Sequence, residues 1–201
     1  MAEIIDTTKV PKGAVSIMPM DRGTGNRLVT DERFKLLSFT GSPEVGWQIK
    51  ADAGRKKVLL ELGGNAGVIV SDSANLQVAV QRCLLGGFSY AGQVCIHTQR
   101  IYVADALYME FLERFVKAVK SLKAGKPENP DTEFSAMIDV ANARRVEQWV
   151  KDAAAAGAKV LCGGKRQGAF LEPTVITGSD FSMQVCCKEI FGPVVTVEPY
   201  Q

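Results

Sequence analysis

Two periodicities alternate along this chain, and that alternation restricts the fold more than any other feature. Short apolar runs, most of them closed by glycine, are followed by stretches whose apolar residues recur every three or four positions. β-like runs separated by helical patterns imply an α/β sheet. Phe34 to Thr40 (FKLLSFT) reads as a strand ending at Gly41-Ser42, and the helix-compatible PEVGWQIKADAG follows, with Gly54 placed to stop it. Lys57 to Leu62 is the next strand, closed by Gly63-Gly64, and Ala66 to Val70 another. A helix carrying Leu76, Val80, Cys83 and Leu84 is expected next, capped by Asp72 or Ser73, and then a strand at Gln99 to Val103.

The second half repeats the theme. Asp105 to Ala124 places Leu107, Phe111, Leu112, Phe115, Val116, Val119 and Leu122 at helical spacing, with Gly125 expected as the residue just past its end. Asp139 to Ala156 reads as a helix ending at Gly157 and leading into the strand AKVLC. GKPENPD (Gly125 to Asp131) is a loop between the helices, and PTVI and PVVTV are two further β-like runs. There is no internal repeat and no low-complexity segment.

Composition narrows the function classes. With 201 residues, 46% of them hydrophobic, the chain can bury a core in one or two domains and is not disordered. Its net charge of +2, with no basic cluster longer than Arg55-Lys56-Lys57, gives no electrostatic case for nucleic acid. No apolar run approaches the ~20 residues that cross a bilayer, so no membrane partner is expected. The start, MAEIIDTTKV, lacks the basic and apolar regions of a secretory signal. Five irregularly spaced cysteines make no disulfide framework, so a reducing, cytoplasmic compartment is expected. A single histidine, His97, excludes a zinc site built on several imidazoles, and no metal is expected.

The chemistry rests on one thiol and one carboxylate. Cys83 lies in an apolar helix pattern, Cys162 at a strand end and Cys186-Cys187 in a β-like run, where free cysteines act as small buried hydrophobes. Cys95 follows the small-residue stretch Ala91-Gly92-Gln93-Val94, which lets a ligand approach closely, as a nucleophile attacking a carbonyl requires. Its alternative is the same buried role. His97, two residues on, would share a strand face with Cys95, but nothing supplies the third group that orients a catalytic pair. The plain reading of His97 is a polar residue at a strand start. Glu61 sits one residue before the end of the apolar strand VLLELGG. There an acid either faces a cavity, where desolvation suits it to general-base work, or faces solvent.

In order, FTGSPEVG, LELGGN, GQVC and KEIFGP resemble the aldehyde dehydrogenase superfamily over nearly the whole chain, with Glu61 and Cys95 thirty-four positions apart. The resemblance implies NAD- or NADP-dependent oxidation of a small-molecule aldehyde to a carboxylic acid. Cys95 would attack the aldehyde to give a thiohemiacetal and, after hydride loss, a thioester. Glu61 would activate the water that hydrolyses it. Glu189 would bind the nicotinamide ribose and Phe191 would pack near the nicotinamide. Gly41 to Gly46 (GSPEVG) would lie beneath the pyrophosphate, with Gly41, Ser42, Gly46 and Leu62 on the cofactor's side. Without the family, GSPEVG is an ordinary helix start, Ser42 capping and Pro43 at the first position.

The chain also departs from the family. Pro43 stands where threonine is common, Lys188 where an acid is common, and Asn65 where lysine is frequent. The wording LELGGNAGVIV resembles branches that take small, phosphorylated or hydroxylated aldehydes. No counterpart of the family's oxyanion asparagine or adenine-ribose lysine is present. The resemblance therefore implies an internal piece: residues 1–62 as the later part of a Rossmann-like cofactor domain, and 63–201 as most of a catalytic α/β domain. The piece alone is expected to be inactive, and the whole protein a homo-oligomer. Two other readings stand beside the hydrolytic one. A CoA-acylating relative would tend to lack the ELGG glutamate. A non-catalytic piece would act, if at all, through interaction.

Overall fold

Parallel strands joined through helices dominate the computed structural model, which describes all 201 residues. Contacts divide the chain into two units, Met1–Leu62 and Gly63–Gln201. The first holds α1 (Ala2–Asp6), α2 (Arg22–Thr30), β1 (Leu36–Gly41), α3 (Pro43–Asp52) and β2 (Lys57–Leu62). β1 and β2 pair in parallel, with Thr40 beside Glu61 and Gly41 beside Leu62. A parallel pair needs a crossover, and α3 supplies it. Ser42 caps α3 by accepting from the Val45 N–H at 3.4 Å, and Pro43 opens the helix where no N–H is needed. Both strands alternate exposed and half-buried residues. Gly41 and Leu62 fall on the half-buried face, Leu36, Leu59 and Glu61 on the open one.

The second unit carries the main core. Its elements are β3 (Ala66–Val70), α4 (Leu76–Phe88), β4 (Thr98–Ala104), α5 (Asp105–Lys120), α6 (Val140–Ala155), β5 (Lys159–Cys162), β6 (Arg166–Gln167), β7 (Phe170–Leu171), β8 (Thr174–Thr177), α7 (Gln184–Cys187) and β9 (Val194–Tyr200). Five strands form one sheet in the order β3-β4-β9-β8-β5, parallel except where β5 runs against β8. α4 and α5 pack together and onto β4 and β9, and α6 packs on β5 and the β6–β7 hairpin. The Phe111 and Phe115 rings stack at 5.3 Å, with Phe88 tilted against Phe115 at 6.2 Å. Ile101, Val103, Ile176, Val195 and Val197 are sealed from solvent with them. A fully buried side chain of this kind contributes on the order of 2–3 kcal/mol.

The α/β class read from the sequence is the class observed, and the differences are local. Asn75, rather than Asp72 or Ser73, caps α4: its side-chain oxygen accepts from Val78 N–H at 3.1 Å. Ser71 and Ser73 are instead engaged in the preceding turn, where the Ala74 N–H donates to the Ser71 carbonyl. α5 stops at Lys120 and Gly125 does not cap it, because Lys123 to Gly125 leave the helix to hydrogen-bond with Glu133 and Phe134. Cys186 and Cys187 end a short helix instead of lying in a strand. Asp180 starts that turn by accepting from the Ser182 N–H, and the Cys186 and Cys187 N–H groups both donate to the Met183 carbonyl.

Candidate active site

The thiol of the candidate site stands on a turn that few residues adopt. After Phe88 the chain passes through three successive left-handed residues, Tyr90 (φ 54°), Ala91 (φ 56°) and Gly92 (φ 66°). For Tyr90 and Ala91 this conformation costs on the order of 1 kcal/mol or more each, and it persists only where surrounding contacts over-determine it. Those contacts are present. The Gln93 N–H donates to the Tyr90 carbonyl, and the Gln93 side-chain oxygen accepts from the Ile138 N–H at 2.9 Å. The His97 N–H donates to the Val94 carbonyl, and its Nε2 donates to the Gly87 carbonyl at 3.0 Å. Between these anchors Cys95 is exposed.

Cys187 is the only other exposed thiol. Burial pushes Cys83 up to about 11 and also raises Cys162 and Cys186 above the ordinary thiol range. His97 is 4% exposed, and burial pulls it down to about 4, with the Gly87 carbonyl opposing the shift. The imidazole is therefore neutral at pH 7 and committed to a backbone carbonyl, while its Nδ1 faces no partner. His97 braces the turn.

A second loop, Lys188 to Pro193, packs against this turn. A β-carbon on Gly92 would lie 2.2 Å from the Gly192 carbonyl oxygen. Glu189 accepts from the Gly64 N–H at 3.0 Å, and its carboxylate fills the space a side chain at residue 63 would need, 1.8 Å from that β-carbon position. Gly63 and Gly64, the glycines that close LELGG, thus accommodate the acid. Arg145 donates to the Ile190 carbonyl at 2.9 Å. Burial lowers its guanidinium from the ordinary value, and the charge of Glu189 opposes that shift. Phe191 is half-exposed and also left-handed (φ 48°). A cavity of about 640 Å³ is bordered by Tyr90, Ala91, Gln93, Phe134, Ile138 and Phe191.

The structure thus brings Cys95, Glu189 and Phe191 onto two contacting loops of one unit. The other expected residues lie in the first unit. Gly41 and Ser42 join β1 to α3, Gly46 is buried against Leu62, and Glu61 is exposed beside Thr40. Glu61 falls on the open face because β2 alternates, with positions 57, 59 and 61 in the exposed phase. Sequence reasoning missed Gln93, Gln99, Arg145 and the apolar wall of Phe134 and Ile138. Only Gln99 left a signal, as a polar residue at the head of an apolar strand.

Fold and site together define an α/β protein with an exposed thiol on a strained turn, packed against a loop carrying an acid and an aromatic residue. The chain belongs to the aldehyde dehydrogenase family, whose sequence pattern it matches over residues 1–201. It is 40% identical over all 201 residues to a 3-sulfolactaldehyde dehydrogenase of Priestia megaterium, covering 42% of that protein. Aldehyde dehydrogenase 21 from Physcomitrella patens, solved with its reaction product succinate, is 48% identical with a TM-score of 0.94, over 99% of this chain and 42% of that one. Glyceraldehyde-3-phosphate dehydrogenase GapN from Methanocaldococcus jannaschii, complexed with NADP, is 39% identical with a TM-score of 0.85, over 88% and 39% of the two chains. The chain spans about two fifths of the length of the curated relatives it matches.

Proposed function

We propose that these residues belong to a hydrolytic aldehyde dehydrogenase in which Cys95 is the nucleophile and Glu61 the general base, with NAD or NADP as hydride acceptor. The observation that carries the reading is Cys95 exposed on the left-handed turn and backed by the Glu189 loop. The Cys95 thiolate adds to the aldehyde carbon, forming a C–S bond and an oxyanion. A nicotinamide held near Glu189 and Phe191 would supply the hydride acceptor, and with hydride passed to it the carbon on Cys95 would be left as a thioester. Glu61 takes a proton from water, the resulting hydroxide adds to the thioester, and the C–S bond breaks to release the carboxylic acid. A thioester resists water without a base, so the scheme needs a carboxylate in that role.

The residues present suit a dinucleotide. α3 starts at Ser42 directly after the C-terminal end of a parallel strand; Pro43 has no N–H and the Val45 and Gly46 N–H groups donate to Ser42, so the Glu44 N–H and the helix dipole are what the first turn offers an anion. Glu189 is held at its carboxylate by Gly64, leaving the other oxygen to accept from ribose hydroxyls, and Phe191 offers a half-exposed ring. On this reading residues 1–62 belong to the cofactor-binding domain and 63–201 to the catalytic domain. Glu61 also argues against the CoA-acylating reading. The substrate class we infer is a small aldehyde of the kind the LELGGN wording implies; the relatives are named for sulfolactaldehyde, lactaldehyde, succinate semialdehyde and betaine aldehyde.

Five free thiols support a cytoplasmic site of action, and the exposed Ile69 on edge strand β3 supports assembly into a homo-oligomer. The 201 residues alone are proposed to give no steady turnover. Their β1–β2 pair leaves Leu36 and Leu59 in water, and an isolated two-stranded sheet is marginal. The test is a panel of short neutral, anionic and cationic aldehydes against NAD and NADP, each with and without CoA. It uses the longest polypeptide that carries these residues, alongside the 201-residue chain. Reduction of cofactor with stoichiometric acid formation by the former supports the reading; acyl-CoA as the sole product, or no reaction, overturns it.

A further inference from the structure

One buried amide governs the backbone on both sides of Glu189. Gln99 lies in β4 and is 1% exposed. Its Nε2 donates to the Lys188 carbonyl at 2.7 Å and to the Val185 carbonyl at 3.1 Å, and its Oε1 accepts from the Ile190 N–H at 2.8 Å. The Lys188 carbonyl belongs to the peptide plane before the Cα of Glu189, and the Ile190 N–H to the plane after it. A residue's two backbone rotations are set by those flanking planes. One side chain on a sheet strand therefore fixes both rotations of Glu189, and with them the direction in which its side chain leaves the loop.

The surroundings argue against a merely convenient hydrogen bond. Residues 188–193 have no regular structure of their own, lying between α7 and β9. Asn65 donates to the Cys186 carbonyl and Arg145 to the Ile190 carbonyl, but neither touches a peptide group adjoining Glu189's Cα. Gly64 holds the carboxylate, not the backbone. The loop also continues into Phe191 at φ 48°, a conformation that needs support from outside itself. We propose that Gln99 is a positioning residue for dinucleotide binding: it clamps the two peptide planes around Glu189 and so aims the carboxylate at the ribose. This rests on the reading of Glu189 given above.

The test is a double-mutant cycle read by calorimetric titration of NAD and NADP, with the rate of Cys95 alkylation as a check on the neighbouring turn. Gln99→Met keeps length and burial but makes none of the three bonds. With Glu189 present it should weaken dinucleotide binding about tenfold, the scale of a lost buried hydrogen-bond partner. In a Glu189→Ala background it should add less than about a twofold loss, because its effect passes through Glu189. Cys95 alkylation should stay near wild type in both. Equal losses in both backgrounds would make Gln99 a general structural residue and overturn the proposal, as would unchanged binding in Gln99→Met. If Glu189→Ala by itself leaves binding unchanged, the reading of Glu189 fails and this inference with it. Should Gln99→Met not fold, the same cycle run with Gln99→Asn, whose shorter arm cannot span both planes, decides by the same criteria.

Discussion

Gly92 and Gly192 meet backbone to backbone: a β-carbon on the first would lie 2.2 Å from the carbonyl oxygen of the second. The contact joins the turn that presents Cys95 to the loop that presents Glu189 and Phe191. Gly192 is in turn wedged against Val146 and Met137, where its own β-carbon would lie 2.9 Å from Val146 and 3.3 Å from Met137. Movement of either loop is thus transmitted to the other and resisted by the core. Cys95 and Glu189 keep one relative geometry because the two glycines allow no gap between their loops.

Gly92→Ala should therefore disturb both loops. The methyl group meets main chain, which cannot rotate away, and alanine at φ 66° is itself strained. Together these should destabilise the protein by about 3 kcal/mol or more. Thermal unfolding and the rate of Cys95 alkylation measure the two consequences. A near wild-type melting temperature with unchanged alkylation would show that the loops are more yielding than the contact implies.

Cys95 should be the first thiol to react with a limiting electrophile. Cys83, Cys162 and Cys186 are shielded and have their thiols raised by burial, so little thiolate is available to attack. Cys187 is exposed and serves as the internal comparison. Peptide mapping after sub-stoichiometric labelling decides. Preferential modification of any of the other four would count against Cys95 as the nucleophile.

How much of this was legible in the sequence depends on whether a feature is local. The strand bounds of Lys57–Leu62 and Ala66–Val70 were readable because glycines or turn residues end both runs. The helix read as Asp139 to Ala156 was readable because its start is local: Asp139 caps it by accepting from the N–H three residues on. The end of α5 was not, since Lys120 is followed by residues that leave the helix for Glu133 and Phe134. Glu61 shows the same limit. Its apolar neighbours left a cavity or solvent open, and β2, with one strand partner, puts Glu61 on a face open to water. Gln93, Gln99 and Arg145 act across 45 to 91 residues of chain, and no spacing rule reaches that far.

Glu61→Gln should slow release of the acid more than formation of the acyl-enzyme. The amide keeps the shape of the side chain but cannot take a proton from water, and loss of a general base costs ~100- to 10,000-fold in rate. Rapid mixing should then show a burst of reduced cofactor, followed by a slow steady state in which acylated Cys95 accumulates and is visible by mass spectrometry. Steady turnover close to wild type would make Glu61 a surface carboxylate of β2 and require another base.

The last expectation concerns pH and the one histidine. Burial holds His97 at about 4 in the folded chain, against 6.5 for an ordinary imidazole. The folded state therefore refuses a proton that the unfolded state accepts, so stability is present above pH 6.5 and is lost as pH falls towards 4. Each pKa unit is worth about 1.4 kcal/mol, so the loss between pH 7 and pH 5 from this group is about 2 kcal/mol. Protonation would also give the unpartnered Nδ1 a hydrogen with no acceptor. His97→Gln, whose side-chain amide can still donate towards the Gly87 carbonyl, should start less stable at pH 7 yet lose less on acidification. Denaturant unfolding of wild type and variant at pH 7, 6 and 5 gives the two slopes. Parallel slopes would mean that His97 takes up its proton without unfolding the turn, and that the acid sensitivity of the fold lies with other groups.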